Sequence, residues 1–236
     1  MTADGNTVYK SLLTATLNTR DLGGCPAGDG RRTVRNRFWR TDMPAEWNEE
    51  DDMRLRQAGI TDLIDLRTDG EAARKPCAYA DREGFRYHRV PVSEGMDPPD
   101  SLEEVPVVYF RMALLPEMAE VFRTMAGAEG GVMFGCAAGK DRTGVISALL
   151  QLACGVERGR IVRDYALSRE YNKVRMLQFL QEHPEIDPKI VLASETSMES
   201  FLDLFAECFG TIDAYFCWLG LPGDVPGRLR ARLLEP

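Results

Sequence analysis

The spacing of hydrophobic and polar residues changes along the chain, and it predicts strands alternating with helices before a helical region. Short apolar runs typical of buried strands lie at 60–66, 85–92 and 132–134. Helical spacing lies between them at 46–58 and 103–126, and Pro116 marks where the longer helix would be interrupted. A loop rich in glycine and proline is expected after the second strand, through Pro99.

The segment before these elements has less regular spacing. Residues 18–40 are rich in glycine, arginine and polar side chains, which predicts a loop with short strands. Thr41, Asp42 and Pro44 together are typical of a helix start, and Gly59 is typical of a helix end.

From Arg142 onward the spacing is helical almost to the end of the chain. Helical segments fall at 143–153, 157–181, 197–219 and 225–234. Strands alternating with helices in the first part predict an α/β sheet, and the helical second half is expected to pack on that sheet or to cap it. Because 236 residues suit one sizeable domain, we predict a single domain over residues 1–236.

Charge and hydropathy exclude some classes of function. The formal net charge is -8, which argues against a broad nucleic-acid-binding surface, and the five arginines between 31 and 40 are typical of a solvated face. No apolar run approaches the roughly 20 residues of a membrane-spanning helix, so stable membrane insertion is not expected. The first ten residues do not resemble a signal peptide, which predicts a cytoplasmic protein, although unconventional secretion leaves no such signal. The pattern does not indicate an oligomeric state.

Six cysteines and two histidines are the candidate metal ligands and nucleophiles. No two cysteines have the Cys-x-x-Cys spacing, so we expect neither a zinc site nor any other metal site, and no cofactor. In a chain of this length without a recognisable signal peptide, free thiols are the expected state of the cysteines.

One cysteine has a context that the others lack. Cys136 precedes Arg142 by six positions, but the same gap to an arginine follows Cys25 and Cys154. Cys25 lies in a turn sequence, and Cys154 lies at a helix end that Gly155 terminates. Only Cys136 lies after an apolar strand and before an apolar helix. A cysteine at a strand end is often just a small buried hydrophobe, but the complete loop and its flanks favour a nucleophile.

The strand–loop–helix pattern predicts an anion site. Backbone N–H groups in such a loop converge on one point, and the helix N-terminus adds partial positive charge. The small residues Ala137, Ala138 and Gly139 let the backbone curl closely around an anion, and Arg142 offers a planar fork for two phosphate oxygens. The same field favours a Cys136 thiolate, which can accept a phosphoryl group as a cysteinyl phosphate that water then hydrolyses.

Residues 136–144, Cys-Ala-Ala-Gly-Lys-Asp-Arg-Thr-Gly, resemble the signature of the bacterial tyrosine-phosphatase-like family that includes mycobacterial protein tyrosine phosphatase B. Further segments similar to motifs of that family lie, in the expected order, at 18–24, 61–67 with Glu71, 155–165 and 209–216. The resemblance covers nearly the whole chain. The loop motif is specific, and the outer motifs are individually weak.

The resemblance implies a cysteine-phosphatase fold, with a central mixed sheet flanked by helices. It also implies a protein tyrosine phosphatase acting on phosphorylated protein, with phosphoserine, phosphothreonine or phosphoinositides accepted by some members. Carried over by motif, Cys136 is the nucleophile, Arg142 is the phosphate clamp, and Lys140 and Asp141 are the distinguishing pair of the loop. Two departures stand out: Gly135 replaces a residue that is commonly histidine, and no Trp-Pro-Asp general-acid loop is present.

Two aspartates are candidates for the general acid. Asp141 neighbours the clamp and could protonate the leaving phenolate oxygen; the alternative is a carboxylate that merely caps the helix. Asp65 lies at a strand end, where α/β sheets gather site residues; the alternative is an ion pair with Arg67 or another loop residue.

Other residues of the loop and its surroundings have two interpretations each. Lys140 could supply charge for an acidic headgroup or a second phosphate, or it could be an exposed loop lysine. Thr143 could hydrogen-bond the thiolate or the loop backbone, or it could be an ordinary residue of the first helical turn. Asn18, Arg20 and Asp21 could brace the phosphate-binding loop from below, or they could form a surface turn.

Three hypotheses follow from the residues. The leading one is a phosphomonoester hydrolase that uses a covalent phosphocysteine. The second is a pseudophosphatase that binds phosphorylated partners without turnover, which Gly135 and the missing acid loop keep open. The third is a sulfurtransferase, which also uses a cysteine in an anion-binding loop but which the Lys-Asp-Arg-Thr run argues against.

Overall fold

The computed structural model describes residues 9–93, 99 and 101–236. Their strands form one mixed sheet in the order β1-β2-β5-β3-β4, in which β1 is antiparallel to β2 and the other pairs are parallel. The strand bounds are β1 Arg20–Asp21, β2 Phe38–Asp42, β3 Ile60–Asp65, β4 Arg86–Arg89 and β5 Gly131–Cys136.

Helices occupy both faces of this sheet and the C-terminal half of the chain. In the first half they are α1 Glu49–Gln57, α2 Asp69–Arg74, α3 Val105–Ala113 and α4 Glu117–Gly127. In the second half they are α5 Asp141–Ala153, α6 Arg158–Tyr171, α7 Lys173–Glu182, α8 Pro188–Val191, α9 Glu195–Phe209, α10 Ile212–Trp218 and α11 Val225–Leu233. None of these helices is both long and apolar enough to cross a bilayer.

Two hydrophobic cores form because successive strand residues point to opposite faces of the sheet. The larger core lies on the face covered by α3–α6 and α9–α11, and the smaller one lies under α1. Adjacent residues of one strand therefore belong to different cores. The larger core contains Phe38, Ile64 and Phe134, and the smaller core contains their neighbours Trp39, Leu63 and Met133. The central strand β5 is buried throughout, as its apolar run predicts.

The parallel strands bring their carboxyl ends to one edge of the sheet. Asp42 at the end of β2 is paired in register with Cys136 at the end of β5, and Asp65 at the end of β3 is paired with Gly135. The loops that follow β2, β3 and β5 therefore meet at this edge, where α/β proteins place their ligand sites.

The mixed α/β architecture and the helical C-terminal half are confirmed, as is the interruption of the 103–126 helix, since α3 ends at Ala113 and α4 begins at Glu117. The helix start predicted at Thr41 and Asp42 is wrong, because both residues end β2. The cap of α1 is Asn48, whose side chain accepts a hydrogen bond from the N–H of Asp51.

Helix α2 was not predicted because it has only six residues and no buried face. Its capping box was readable in the sequence: Thr68 and Glu71 each bond the other's backbone N–H. The first eight residues and most of the predicted loop through Pro99 lie outside the described residues.

Candidate active site

The phosphate-binding loop, residues 137–140, joins the end of β5 to the start of α5. Cys136 ends the strand with 2% of its surface exposed. Gly139 has a φ of +62°, and a Cβ there would lie 2.6 Å from the Thr41 carbonyl oxygen. Both the backbone angle and the close approach of β2 require glycine at this position.

The carbonyl groups of this loop are held by side chains from elsewhere in the chain. Arg175 donates to the Ala137 oxygen at 3.1 Å, Asn18 and Asn172 donate to the Ala138 oxygen at 3.0 and 2.9 Å, and Asn18 and Arg40 donate to the Gly139 oxygen at 2.9 Å each. The N–H groups of residues 137–140 donate to no other group of the described chain. Because these side chains hold the loop carbonyl groups, the N–H groups remain available to an anion. The strand–loop–helix pattern in the sequence predicts this arrangement.

Thr143 links the loop to its cysteine. Its Oγ1 accepts a hydrogen bond from the Cys136 N–H at 3.0 Å and donates to Cys136 Sγ at 3.2 Å. This bonded interpretation of Thr143 is confirmed over that of an ordinary first-turn residue. The Thr143 hydroxyl therefore donates to the sulfur beside the N-terminus of α5.

Arg142 is fixed by a residue that the sequence analysis did not assign to the site. Its Nη1 donates to Glu71 Oε2 at 2.7 Å and its Nη2 donates to Glu71 Oε1 at 2.8 Å, a two-bond pairing that sets the plane of the guanidinium. Hydrogen bonding to Arg142 lowers the pKa of Glu71 to about 2. The sequence pattern that could have pointed to Glu71 is the capping box with Thr68. Glu71 accepts from the N–H of Thr68 at 2.8 Å and is thereby held at the start of α2.

Glu71→Gln should lower kcat/KM by about tenfold, because glutamine can accept only one of the two guanidinium hydrogen bonds. The pKa of the Glu71 carboxyl group is about 2 in the folded protein, against an ordinary value of 4.5. Its pairing with Arg142 therefore stabilises the fold above about pH 4.5, and this stabilisation is lost as the pH falls through about 2. The difference in rate between wild type and variant should therefore be constant from pH 5 to pH 8, measured as kcat/KM for an aryl phosphate.

Glu50→Gln is the matched control for this variant. Glu50 pairs with Arg54 at 2.9 Å on the exposed face of α1, where such a pair has little influence. A rate equal to wild type in Glu71→Gln would show that Glu71 does not position Arg142.

Asp65 is held in an ion pair, as the alternative interpretation stated. Its side chain is fully buried; Arg67 Nη2 donates to Oδ2 at 2.6 Å, and the Tyr87 hydroxyl donates to the same oxygen at 2.6 Å. The Arg67 N–H and Nε both donate to Oδ1, at 3.0 and 2.9 Å. Both oxygens of Asp65 are therefore occupied in bracing the end of β3.

Asp141 begins α5 with 23% of its side chain exposed. Its Oδ1 accepts from the hydroxyl of Tyr109 and lies 3.2 Å from Lys140 Nζ. Lys140 is buried, and its Nζ also donates to the Val191 carbonyl oxygen at 2.6 Å. The interpretation of Lys140 as an exposed loop lysine is therefore wrong, since its long side chain folds inward between α5 and α8.

A buried charge network supports the loop from below. Asp164 on α6 accepts from Arg20 at 2.8 Å and from Arg40 at 2.7 Å. Burial acts to raise the pKa of Asp164, but the charges of the two arginines outweigh it and hold that pKa below its usual range. Burial lowers the pKa of Arg40 to about 10. Arg40 is fully buried, so its assignment to a solvated basic face is wrong.

Of the three residues for which bracing the loop and forming a surface turn were both open, two brace the loop and one forms a turn. Asn18 contacts the loop carbonyls directly, and Arg20 supports Asn18 through its Oδ1. Asp21 instead accepts from the N–H groups of Gly23 and Asn36, both at 2.9 Å, which holds the turn after β1.

Packing explains the glycine before the nucleophile. A Cβ at Gly135 would lie 2.3 Å from the Thr41 carbonyl oxygen and 2.6 Å from Thr41 Cγ2. Gly135 is paired in register with Thr41 across β2 and β5, so a side chain at position 135 would force the two strands apart. The departure from the common histidine therefore reflects the close approach of β2.

Comparison with known proteins shows that the sequence of this chain is similar to those of tyrosine phosphatases. The sequence model described as the tyrosine phosphatase family matches residues 12–235. The chain is 32% identical over 169 residues to a predicted tyrosine-protein phosphatase of Cupriavidus necator, and 37% identical over 144 residues to a tyrosine-protein phosphatase of Nostoc commune. It is 26% identical over 235 residues to the triple specificity protein phosphatase PtpB of Mycobacterium tuberculosis.

These alignments differ in coverage. They take in 66%, 57% and 76% of this chain, in the same order, and 61%, 49% and 84% of the relatives. The chain thus spans between about half and three-fifths of the length of the first two relatives.

Proposed function

The chain belongs to the tyrosine phosphatase family, and from that premise we propose that it hydrolyses phosphate monoesters, phosphotyrosine first among them, through a cysteinyl-phosphate intermediate. One observation carries the proposal. Cys136 faces a loop whose carbonyls are bonded away, next to an arginine whose guanidinium plane is set by Glu71. This combination supplies a nucleophile, N–H donors for an anion and a two-bond phosphate clamp.

In the first step the Cys136 thiolate attacks phosphorus while the bond from phosphorus to the leaving oxygen breaks. The loop N–H groups and Arg142 hold the three remaining phosphoryl oxygens, where charge develops in the transition state. Asp141 gives its proton to the leaving phenolate oxygen, so a neutral phenol departs.

In the second step water attacks the cysteinyl phosphate. Asp141, now a carboxylate, takes a proton from that water as the sulfur–phosphorus bond breaks. The thiolate of Cys136 is regenerated and inorganic phosphate leaves. Thr143 bonds the sulfur and therefore assists its departure as an anion.

The structure favours an enzyme over a pseudophosphatase. The departure at Gly135 follows from strand packing, and Asp141 supplies an acid in the first turn of α5, directly after the loop. Phosphoserine, phosphothreonine and phosphoinositides are included in the proposed substrates by the family resemblance. Hydrolysis of p-nitrophenyl phosphate in a strong chelator tests the proposal, because Cys136 and Arg142 provide the nucleophile and positive charge without a metal. Binding of phosphopeptide without turnover would identify a pseudophosphatase instead.

Asp141→Asn should reduce turnover of phosphotyrosine by about a hundredfold and that of p-nitrophenyl phosphate far less, because a general acid matters most for a basic leaving group. The measurement is kcat for a series of aryl phosphates of increasing phenol pKa. Equal losses across the series would remove the acid role from Asp141, and Asp65→Asn would then be measured on the same series.

A further inference from the structure

We propose that Tyr109 is a positioning residue for proton transfer, held in turn by Tyr165, and that it determines which oxygen of Asp141 carries the proton. This rests on the proposed function, in which Asp141 is the general acid. Tyr109 lies on α3, outside the segments that resemble family motifs, and Tyr165 lies on α6, at the end of the 155–165 segment, where the sequence assigned it no role.

Two tyrosine side chains meet behind the first turn of α5. The Tyr109 hydroxyl contacts Asp141 Oδ1 and lies 2.5 Å from the Tyr165 hydroxyl. Tyr109 is 2% exposed and Tyr165 is 1% exposed, and their rings pack edge to face with centroids 5.8 Å apart. Phe201 packs on the same ring of Tyr109 with its centroid 6.3 Å away, so the hydroxyl has a fixed place.

The direction of these hydrogen bonds follows from charge. Burial, with the negative charge of Asp141 beside it, raises the pKa of Tyr109 well above its usual value, so this residue stays a neutral phenol. A carboxylate can only accept, so the Tyr109 hydroxyl donates to Asp141. Its oxygen is then left to accept from the Tyr165 hydroxyl.

Both side chains that contact the Asp141 carboxyl group lie against the same oxygen. Oδ1 accepts from the Tyr109 hydroxyl and forms an ion pair with Lys140 Nζ at 3.2 Å, whereas Oδ2 has no hydrogen-bond partner among the described residues. A proton on Asp141 is therefore directed to Oδ2. In the reaction the Oδ2–H bond breaks, the proton moves to the leaving oxygen, and Oδ2 later receives a proton from the attacking water.

A purely structural role would have a different signature. The Tyr215 hydroxyl is also buried, in the same hydrophobic core as Tyr109, and donates to the Ala113 carbonyl oxygen at 2.8 Å. That hydrogen bond pairs two buried polar groups, and neither of them belongs to the phosphate-binding loop. Tyr215→Phe is thus a matched control that removes one buried hydroxyl and leaves Asp141 untouched.

The test is kcat for aryl phosphates of increasing phenol pKa in wild type, Tyr109→Phe, Tyr165→Phe and Tyr215→Phe. We expect Tyr109→Phe to lose about tenfold on phenyl phosphate and less than about twofold on p-nitrophenyl phosphate, because only the basic leaving group needs a well-placed proton. Tyr165→Phe should show a smaller loss of the same kind. Any loss of kcat in Tyr215→Phe, relative to wild type, should be the same for every leaving group in the series.

Uniform losses in Tyr109→Phe across the series would overturn the proposal, as would wild-type rates throughout. Asp141→Asn in the same assay separates this failure from failure of the proposed function. If Asp141→Asn keeps its leaving-group dependence while Tyr109→Phe lacks it, Asp141 is the acid and Tyr109 does not position it. If Tyr109→Phe proves unstable, Tyr165→Phe decides the question, since it leaves the direct contact with Asp141 intact.

Discussion

Cys136→Ser is expected to abolish turnover, with a loss of more than about a thousandfold, while the protein still binds phosphate analogues. A serine hydroxyl is a far weaker nucleophile because it is not ionised at neutral pH. Binding should persist because the loop N–H groups and Arg142 grip the phosphoryl oxygens without sulfur, and the carbonyls that orient the loop are bonded by Asn18 and Arg40. The measurements are kcat with p-nitrophenyl phosphate and the affinity for tungstate, a phosphate analogue, by calorimetry.

Two other cysteines serve as controls for this variant. Cys25 and Cys154 are each followed by an arginine six positions later, but neither lies in a phosphate-binding loop. Burial raises the pKa of Cys25, and it raises that of Cys154 to about 12, so both remain thiols at neutral pH. Serine at either position should leave turnover within about twofold of wild type. Activity of Cys136→Ser within tenfold of wild type would rule out Cys136 as the nucleophile.

Asp164→Asn should lower the free energy of unfolding by about 3–5 kcal/mol, because it removes the one carboxylate in the described part of the chain that bonds both Arg20 and Arg40. The Arg40 side chain is fully buried and that of Arg20 is 8% exposed, so water cannot replace the lost carboxylate. Chemical denaturation should show the loss directly. A thermal midpoint lower by about 10 °C would agree with it for a chain of this length.

Asp213→Asn is the matched control for that measurement. Asp213 pairs with Arg230 at 2.6 Å, but 63% of its side chain is exposed, so its loss should cost less than about 1 kcal/mol. Equal stabilities for Asp164→Asn and wild type would show that the two arginines are not compensated by Asp164. The phosphate-binding loop would then need another support.

The loop itself could be predicted from the sequence because its signals are local. An apolar strand, small residues and an apolar helix are adjacent in the chain, and each element forms for reasons contained within about ten residues. Cys136, Arg142 and Thr143 were identified on this basis, and the structure places all three around one loop. The capping box of Thr68 and Glu71 was equally local, but it predicts a helix start and not a contact with Arg142.

The supporting residues could not be predicted in the same way. Asp164 follows Arg20 by 144 positions and Arg40 by 124, and Tyr109 precedes Asp141 by 32. Charged residues at such separations have no local pattern that distinguishes a buried pair from two solvated side chains. Arg40 shows the consequence, since its neighbours in the sequence suggested a solvated cluster and its place in β2 buries it completely.

By itself, the sequence determined the alternation of strands and helices and the candidate nucleophile with its arginine, because periodicity and loop composition act over short distances. The tertiary structure decided how that arginine is oriented, which of the two candidate carboxylates is bonded at both oxygens and why glycine precedes Cys136. Each of these depends on atoms brought together by sheet register and helix packing: Glu71 against Arg142, Tyr109 against Asp141, and Thr41 against Gly135. Such contacts are properties of the folded arrangement, and no single segment encodes them.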